Sequence, residues 1–482
     1  MTAHPVYLIQ PPANLSGRKP CLDDTQYGLG LLALSAWLEK HGFEAPGLHI
    51  PLALHHGFSL DELIGMIAAR QPMLIAIGMN WVHFSRGAIE LAARLKTVIP
   101  QCPIYIGGQH ASLFGQEIVA RHGAVIDGVI IGEAEYPLLA ICQSLRDRGT
   151  VADDVPGLAR PDGRTTPPRV KSDIDALPTY SYSALRPRQK QEDVAALSTT
   201  RGACPFRCAW CVEPVVGRAQ GRPRLSFHSP THIADQIERL QGEGIHRFTI
   251  QDNFFVGGDR HLIALAQTLQ KRGLRPRHLN LFAHPDSFGA AGLTALSDAC
   301  ERASVDYGVE TGSVSVARRN HRALDPDGVV GNIEAAVAAG IEPYTWWMVG
   351  LPGEGAPELA ETEQLIERTM RSGGVPRWVS PLILFPKTPI HERPQEYGVS
   401  LNFRGFDDYA RFSTTTLAEA LMFDDVQTHR TEEAGPDDIC RASQRLRRFI
   451  ADRFPLLDDF YRGRNAPLDL AATQQRISSS FF

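Results

Sequence analysis

The sequence predicts an α/β protein of two parallel-sheet units in series: an N-terminal doubly wound, Rossmann-like sheet, then a partial (β/α)6 TIM-like barrel, then a small, mostly helical C-terminal region. Three observations carry that expectation. Over the first 150 residues, short apolar runs that stop at glycine or small polar residues alternate with helix-period stretches, the pattern of a sheet covered by helices on both faces. From Val194 the alternation starts again and repeats six times. Between the two, Val151 to Pro187 is rich in Pro, Asp, Arg and Ser and shows little periodicity. The boundaries that follow are 1–150, a linker at 151–192, the barrel at 193–392 and a C-terminal region at 393–482.

Bulk properties exclude several function classes. A chain of 482 residues is too long for one ordinary domain. Its 43% hydrophobic and 21% charged residues suit a folded soluble protein, and a net charge of −5 offers no basic face for nucleic acid. Met1-Thr2-Ala3-His4-Pro5 lacks a charged leader followed by an apolar core, and no apolar run approaches the roughly 20 residues that cross a bilayer. The expectation is a cytoplasmic protein with no membrane span. Eight cysteines do not make a disulfide framework in so long a chain, and Cys21, Cys102, Cys142, Cys300 and Cys440 are scattered singly as small hydrophobes.

In the first unit, Pro5 to Gln10 reads as a buried strand and Gly28 to His41 as a helix ending at Gly42. Met73 to Gly78 is a second strand, followed by the loop Met79-Asn80-Trp81-Val82-His83 and an amphipathic helix from Ser85 to Val98. Pro103 to Ile106 is a third strand stopping at Gly107-Gly108, and Val125 to Ile131 a fourth stopping at Gly132-Glu133-Ala134-Glu135, with Tyr136 to Arg146 helical. Ligands of such sheets bind beyond the carboxyl ends of the strands, which is where Asn80, Gly107, Gly108, Gly132 and Glu133 fall. The absence of a G-x-G-x-x-G turn and of a P-loop argues against NAD and ATP. Read alone, these residues mark a cofactor-binding fold, and the glycine pairs serve equally well as tight turns.

The barrel strands are expected at Ala195 to Thr199, Arg247 to Gln251, His278 to Ala283, Ser304 to Val309, Tyr344 to Val349 and Trp378 to Leu384. Helices such as Thr231 to Glu243, His261 to Lys271 and Asp327 to Ala339 lie between them. Six units are too few to close an eight-stranded barrel, and functional residues belong at strand C-termini. The first strand runs into Thr200-Arg201-Gly202-Ala203-Cys204-Pro205-Phe206-Arg207-Cys208-Ala209-Trp210-Cys211. Cysteines separated by three residues and then two can converge on one inorganic body. Three ligands on a four-iron cluster leave one iron open, whereas a structural zinc wants four ligands, typically from two separated pairs. No second pair stands near Cys211, and His228 is a lone candidate for a fourth ligand. The spacing favours the cluster.

Cys204, Cys208 and Cys211, with Trp210 before the third, resemble the cluster loop of radical S-adenosylmethionine (SAM) enzymes. The resemblance implies a [4Fe-4S] cluster whose open iron is chelated by the amino and carboxylate groups of SAM. It also implies that an electron from the cluster cleaves SAM to methionine and a 5′-deoxyadenosyl radical. The stretches Gly28-Leu29-Gly30-Leu31-Leu32, Gly107-Gly108-Gln109-His110-Ala111-Ser112 and Ile131-Gly132-Glu133-Ala134-Glu135 resemble the cobalamin-binding domain that precedes many radical SAM domains. D-x-H-x-x-G, whose His ligates cobalt elsewhere, is missing, which implies cobalamin without a protein His ligand. Asn80 and Trp81 are the candidates beneath the corrin, with His83 packing at the helix start and Ser112 among the cobalamin residues.

Carried over residue by residue, the likeness implies further roles. Asp252 and Asn253 orient the methionine end of SAM or the substrate, and Glu310 hydrogen-bonds its ribose. Arg319, of the group Arg318, Arg319 and Arg322, pairs with the SAM carboxylate. Gly350-Leu351-Pro352-Gly353-Glu354 sets backbone groups of Gly350 and Pro352 against adenine, near Trp210. Leu384 to Pro389 is also family-like. His284 stands where related sequences often carry Arg, and reads as structural before it reads as an acid or base. Trp346, Trp347 and His284 are candidate pocket residues.

The function so implied is a cobalamin-dependent radical SAM methyltransferase that methylates an unactivated carbon of a small-molecule or natural-product substrate through the 5′-deoxyadenosyl radical and methylcobalamin. The alternative within the family is rearrangement, cyclisation or ring contraction without methyl transfer; outside it, a non-catalytic cobalamin or cluster sensor. The partner implied is an electron donor such as flavodoxin or ferredoxin. In the C-terminal region, Tyr397, Phe403, Phe406, Tyr409 and Phe412 are expected over the barrel's open side, and Asp438 to Phe454 as a helix with Arg445, Arg447 and Arg448 on a solvated side. Replacing Cys208 by Ala should abolish formation of 5′-deoxyadenosine and of product together; SAM cleavage that persists in that variant would count against the cluster assignment.

Overall fold

The computed structural model describes residues 4–15, 28–185, 194–252, 255, 257–414 and 427–453. Cys21, Asn253 and the residues after 453 lie outside these, so the role expected of Asn253 has no structural account.

Six strands form the first sheet: β1 (Val6–Gln10), β2 (Gly47–His49), β3 (Leu74–Gly78), β4 (Ile104–Gly107), β5 (Gly128–Ile130) and β6 (Leu158–Ala159). Their order is β2-β1-β3-β4-β5-β6, parallel except for β5 with β6. Parallel strands are covered on both faces and therefore read as continuous apolar runs, and Val6, Leu8, Ile9, Leu74, Ile75, Ile104 and Ile106 are all fully buried. The helices Leu29–Lys40, Ser85–Val98 and Glu135–Arg148 fall where expected. Residues 44–72 and the helix Gln109–His122 carried weaker signals. β2 has three residues, and the helix Gln109–His122 opens on a polar Gln-His pair that dilutes its apolar period.

The second sheet holds β7 (Val194–Leu197), β8 (Arg247–Ile250), β9 (His278–Ala283), β10 (Ala303–Glu310), β11 (Glu342–Val349) and β12 (Val375–Pro381), all parallel, in the order β12-β11-β10-β9-β8-β7. Among the described residues β12 and β7 do not pair, so this is the open, partial barrel that six units predict. The last strand begins three residues earlier than expected. Pro376 argues against a strand interior, but β12 is an edge, where a missing N–H costs no ladder bond.

The C-terminal region departs from expectation twice. Phe403, Phe406, Tyr409 and Phe412 are buried in the core of the first sheet's outer face, not over the barrel's open side. Phe406 meets Phe114 of the helix Gln109–His122 edge-on at a centroid distance of 5.8 Å, and Tyr409 packs on it at a tilt at 5.6 Å. The Tyr409 hydroxyl donates to the Leu384 carbonyl, so this stretch ties the barrel's last loop to the first sheet. The second departure is Arg447 of the helix Pro436–Ala451, which is buried and donates to the Val379 carbonyl at 3.0 Å. Arg445 pairs with Glu363 at 2.8 Å on the surface, as a solvated face requires. Among the described residues no helix is long and apolar enough to cross a membrane. Phe406→Ala should destabilise the protein by about 3–5 kcal/mol, read as a lower denaturation midpoint; an unchanged midpoint would show that the aromatic cluster does not fasten the C-terminal region.

Candidate active site

The cysteine loop starts where β7 ends and is held there by the residue that follows β8. Asp252 is buried, and its carboxylate accepts the Thr199 amide at 3.0 Å, the Thr200 amide at 3.2 Å and the Ser198 hydroxyl at 2.9 Å, together with the Thr199 hydroxyl. Burial raises its pKa, and these hydrogen bonds oppose the rise. Expected to orient the methionine end of SAM or the substrate, Asp252 lines the cavity described below, and its carboxylate is taken up by the loop that carries the cysteines, whose buried amides need an acceptor. On the far side, helix Glu213–Ala219 packs so closely that a Cβ on Gly217 would fall 2.2 Å from the Ala203 nitrogen. Glycine is required there.

Cys208 is buried, and Cys204 and Cys211 half-buried. Burial pushes the Cys204 thiol up to about 11 and raises Cys208 and Cys211 as well, so thiolates here need a cationic partner. Among the described residues, only Asp175, His228 and His232 bring three metal-binding side chains within 4.8 Å of one another. The three cysteine sulfurs do not all lie within that distance of one another, whereas a tetrahedral zinc would draw its sulfurs to roughly 3.8 Å apart. The wider spacing suits a polynuclear body.

Around the loop the structure redistributes the expected roles. Arg322 is buried, with one guanidinium nitrogen 3.9 Å from the Cys208 sulfur and another donating to the Gly308 carbonyl. Arg319 is exposed and donates to the Tyr397 carbonyl at 3.0 Å. Of the three arginines, it is therefore Arg322 that borders the cysteines. Glu310 follows a register shift in β10 and has φ 75°, a left-handed conformation that costs a non-glycine residue about 1–3 kcal/mol. Burial raises its pKa, Arg322 opposes the rise, and among the described residues its carboxylate accepts no hydrogen bond. The backbone of the Gly350–Glu354 turn is engaged within the protein: the Gly350 amide donates to Glu354 at 2.6 Å, its carbonyl meets His429 Nε2 at 2.8 Å, and Asn320 donates to the Pro352 carbonyl at 2.9 Å. Trp210 packs with Val316 and Leu351 in the small core beneath. His284 stacks on Phe206 at 5.2 Å and bonds Asp286, so it braces the cysteine loop and does not line the cavity. Trp347 is fully buried away from it.

At the first sheet, Gly107, Gly108, Gly132, Asn80 and Trp81 line one cavity of 740 Å³ that continues to Cys204 and into the barrel beside Asn280, Phe282, Asp306, Trp346, Arg377 and Trp378. Gly108 has φ 117°, and a Cβ there would lie 2.6 Å from Asn80 Oδ1. Trp81 is 53% exposed, an unusual state for an indole. Glu133 also lines this cavity and Ser112 does not, and the side chains of both are engaged by other residues. The Ser112 hydroxyl donates to the Gly108 carbonyl at 2.7 Å and accepts the Gly132 amide at 3.0 Å. Glu133 is gripped by both arms of Arg222, at 2.6 and 2.9 Å, and Glu135 by Arg201 at 2.6 Å.

Two features had been missed. Asp306 accepts from Trp346 at 2.7 Å, Asn280 at 2.7 Å and Arg377 at 3.1 Å, a polar floor inside the barrel. An aspartate in the middle of the apolar strand Ala303–Glu310 was a usable signal. The Glu133–Arg222 and Glu135–Arg201 pairs left none, since the partners are distant in sequence.

A B12 binding domain model matches residues 21–142 and a Radical SAM superfamily model residues 199–366, in that order. Hopanoid C-3 methylase of Methylococcus capsulatus (strain Bath) is 24% identical over 257 residues, covering 52% of this chain and 47% of that protein. The chain thus spans about half the length of the curated relative it matches. The radical S-adenosylmethionine methyltransferase TsrM of Kitasatospora setae, solved with cobalamin and a [4Fe-4S] cluster, superposes with TM-score 0.66 at 18% identity over 89% of this chain and 87% of that one. The cobalamin-dependent S-adenosylmethionine radical enzyme OxsB, with aqua-cobalamin bound, gives TM-score 0.67 at 15% identity over 99% and 71%. These likenesses establish the shared fold.

The Gly350–Glu354 turn generates a pH test. Burial lifts the Glu354 carboxyl to about 8, against an ordinary 4.5. The folded state therefore binds this proton more tightly than the unfolded one. The stability it contributes is full below about pH 4.5 and is lost as pH rises through about 8. Glu354→Gln, which keeps an oxygen for the Gly350 amide, should gain in thermal midpoint relative to the parent between about pH 5 and pH 8. A difference that does not change with pH would mean that the carboxyl is not held protonated.

Proposed function

Because the chain belongs to the cobalamin-binding radical SAM enzymes, we propose that it is a cobalamin-dependent methyltransferase acting on an unactivated carbon of a small-molecule substrate. The observation that carries this reading is the single cavity running from Asn80, Trp81 and Gly108 past Cys204 to Phe282 and Trp346. Methylating such a carbon needs a radical source, a methyl carrier and the substrate side by side with water excluded. The name of the hopanoid relative supports methyl transfer over the family's other reactions.

The residues fit the groups this requires. The thiols of Cys204, Cys208 and Cys211 share one loop without all three closing to within 4.8 Å of one another, and would hold a [4Fe-4S] cluster. Gly107, Gly108 and Gly132 keep the strand ends low, and the exposed indole of Trp81 offers a flat apolar surface for cobalamin. When bound, the cluster and SAM supply a hydrogen-abstracting radical and cobalamin supplies the methyl group. The chain's own part is to bind, orient and keep dry. Arg322, beside Cys208, would meet the SAM carboxylate, taking the role expected of Arg319. Glu310, with its carboxylate unengaged and its backbone held in a strained conformation, would accept the ribose hydroxyls. Asp252 and Ser112 act as positioning residues for the two loops. An electron donor of the flavodoxin or ferredoxin class, in a reducing compartment such as the cytoplasm, would complete the system.

The test is anaerobic reconstitution with iron, sulfide and hydroxocobalamin, followed by SAM and a reductant. Bound cobalamin with 5′-deoxyadenosine and S-adenosylhomocysteine both formed is the expected result. Deoxyadenosine without S-adenosylhomocysteine would overturn methyl transfer, and failure to retain cobalamin would overturn the reading of the first sheet.

A further inference from the structure

We propose that Asp175, His228 and His232 form a divalent-cation site in the wall of the shared cavity, distinct from the cysteine loop. Asp175 lies in a single 3-10 turn, Ile174–Ala176, of the connector between the sheets. His228 stands just before the helix Pro230–Gly242, and His232 is four positions on, in its first turn. One donor atom from each of the three lies within 4.8 Å of the other two, a convergence that no other three such side chains reach among the described residues.

The arrangement is built from several directions. The Asp175 carboxylate is oriented by His228 Nδ1 at 2.9 Å and by the Ser229 amide at 3.1 Å. The His228 amide donates to the Thr199 carbonyl at 2.8 Å, which fixes this wall to the strand end where the cysteine loop begins. A purely structural helix cap accounts for Asp175, for Ser229 and for the His232 amide, which donates to the Ser229 hydroxyl at 3.2 Å, but not for the His232 ring nitrogens. The His232 ring stacks on His228 with centroids 4.3 Å apart and 11° between planes, so one ring turns about its Cβ–Cγ bond for both to direct a nitrogen in plane at one ion. Among the described residues its nitrogens have no hydrogen-bond partner, and both imidazoles line the cavity. Arg201, the cation that acts on His228, is itself paired with Glu135 at 2.6 Å, so the site is not closed to positive charge.

Two imidazoles and one carboxylate are the donor set of Zn²⁺ and of other borderline first-row divalent ions. Three protein ligands leave coordination positions open toward the cavity, where a water or an oxygen of the substrate would complete the sphere. Such a cation would fix an oxygen-bearing end of the substrate against the wall near the cysteine loop. Cation binding does not rest on the methyl-transfer reading and is tested apart from it.

The experiment uses the full chain with its cluster reconstituted, so that the cysteines are occupied, and adds Zn²⁺ as the probe. The expected result is stoichiometric zinc beyond the cluster iron, with an X-ray absorption spectrum showing nitrogen and oxygen neighbours at about 2.0–2.1 Å and no sulfur. His232→Ala should weaken zinc binding by about tenfold or more while the iron content and circular dichroism stay those of the parent. Should that variant lose its iron, Asp175→Asn, at the more exposed ligand, supplies the same comparison. Sulfur among the zinc neighbours, no stoichiometric zinc, or parent-like affinity in the folded variants would each overturn the proposal.

Discussion

Two carboxylate–guanidinium contacts, Glu133 with Arg222 and Glu135 with Arg201, hold the strand ends of the first sheet against the cysteine-loop side of the second. Everything proposed for this protein depends on that apposition, because a cavity shared by two sheets exists only while their carboxyl ends face each other. Ion pairs at low exposure add little net stability, since desolvation offsets most of the attraction. Their value lies in orientation: a bidentate Arg222–Glu133 contact admits few relative placements, and removing either partner leaves an uncompensated charge. The aromatic stretch from Phe403 to Phe412 works with them, adding apolar area between the barrel's last loop and the helix Gln109–His122.

A common logic connects the loops around the cavity. Strand C-termini in parallel sheets end in turns whose amides and carbonyls lack ladder partners, and a buried turn must satisfy them locally. Asp252 does this for Thr199 and Thr200, Ser112 joins Gly108 to Gly132, and Glu354, His429 and Asn320 close the turn after β11. The groups that these turns leave at the cysteine loop are correspondingly informative. Glu310, with its strained backbone and a carboxylate that accepts no hydrogen bond among the described residues, and Arg322, beside Cys208, border the cysteine loop, while Trp81 lies open on the opposite wall.

The cation site proposed at Asp175, His228 and His232 extends the same principle to the connector. A connector with little periodicity contributes one ligand, and the start of the helix Pro230–Gly242 with the residues just before it contributes two. The cavity wall is therefore assembled from all three stretches of chain, and the polar floor at Asp306 and Arg377 closes it from within the barrel.

The sequence by itself determined the features that depend on local spacing. Strand–helix alternation set four strands of the first sheet, the six of the second and the order of the two units, the single-file cysteines Cys204, Cys208 and Cys211 named the candidate cluster loop, and the glycines at the ends of β4 and β5 marked the cavity's rim. Periodicity and short-range spacing are written along the chain, so they survive without coordinates. Only the tertiary structure decided which charge meets which. Asp252, Glu133, Gly350 and Pro352 were legible as residues near a site, yet their polar groups are engaged by Thr199, Arg222, Glu354 and Asn320. Arg322 and not Arg319 reaches Cys208, Phe406 and Tyr409 turn to the first sheet, and Asp175 meets a histidine 53 positions away. A buried polar group takes whichever partner the whole fold brings within about 3 Å, and that distance is a property of the packed chain.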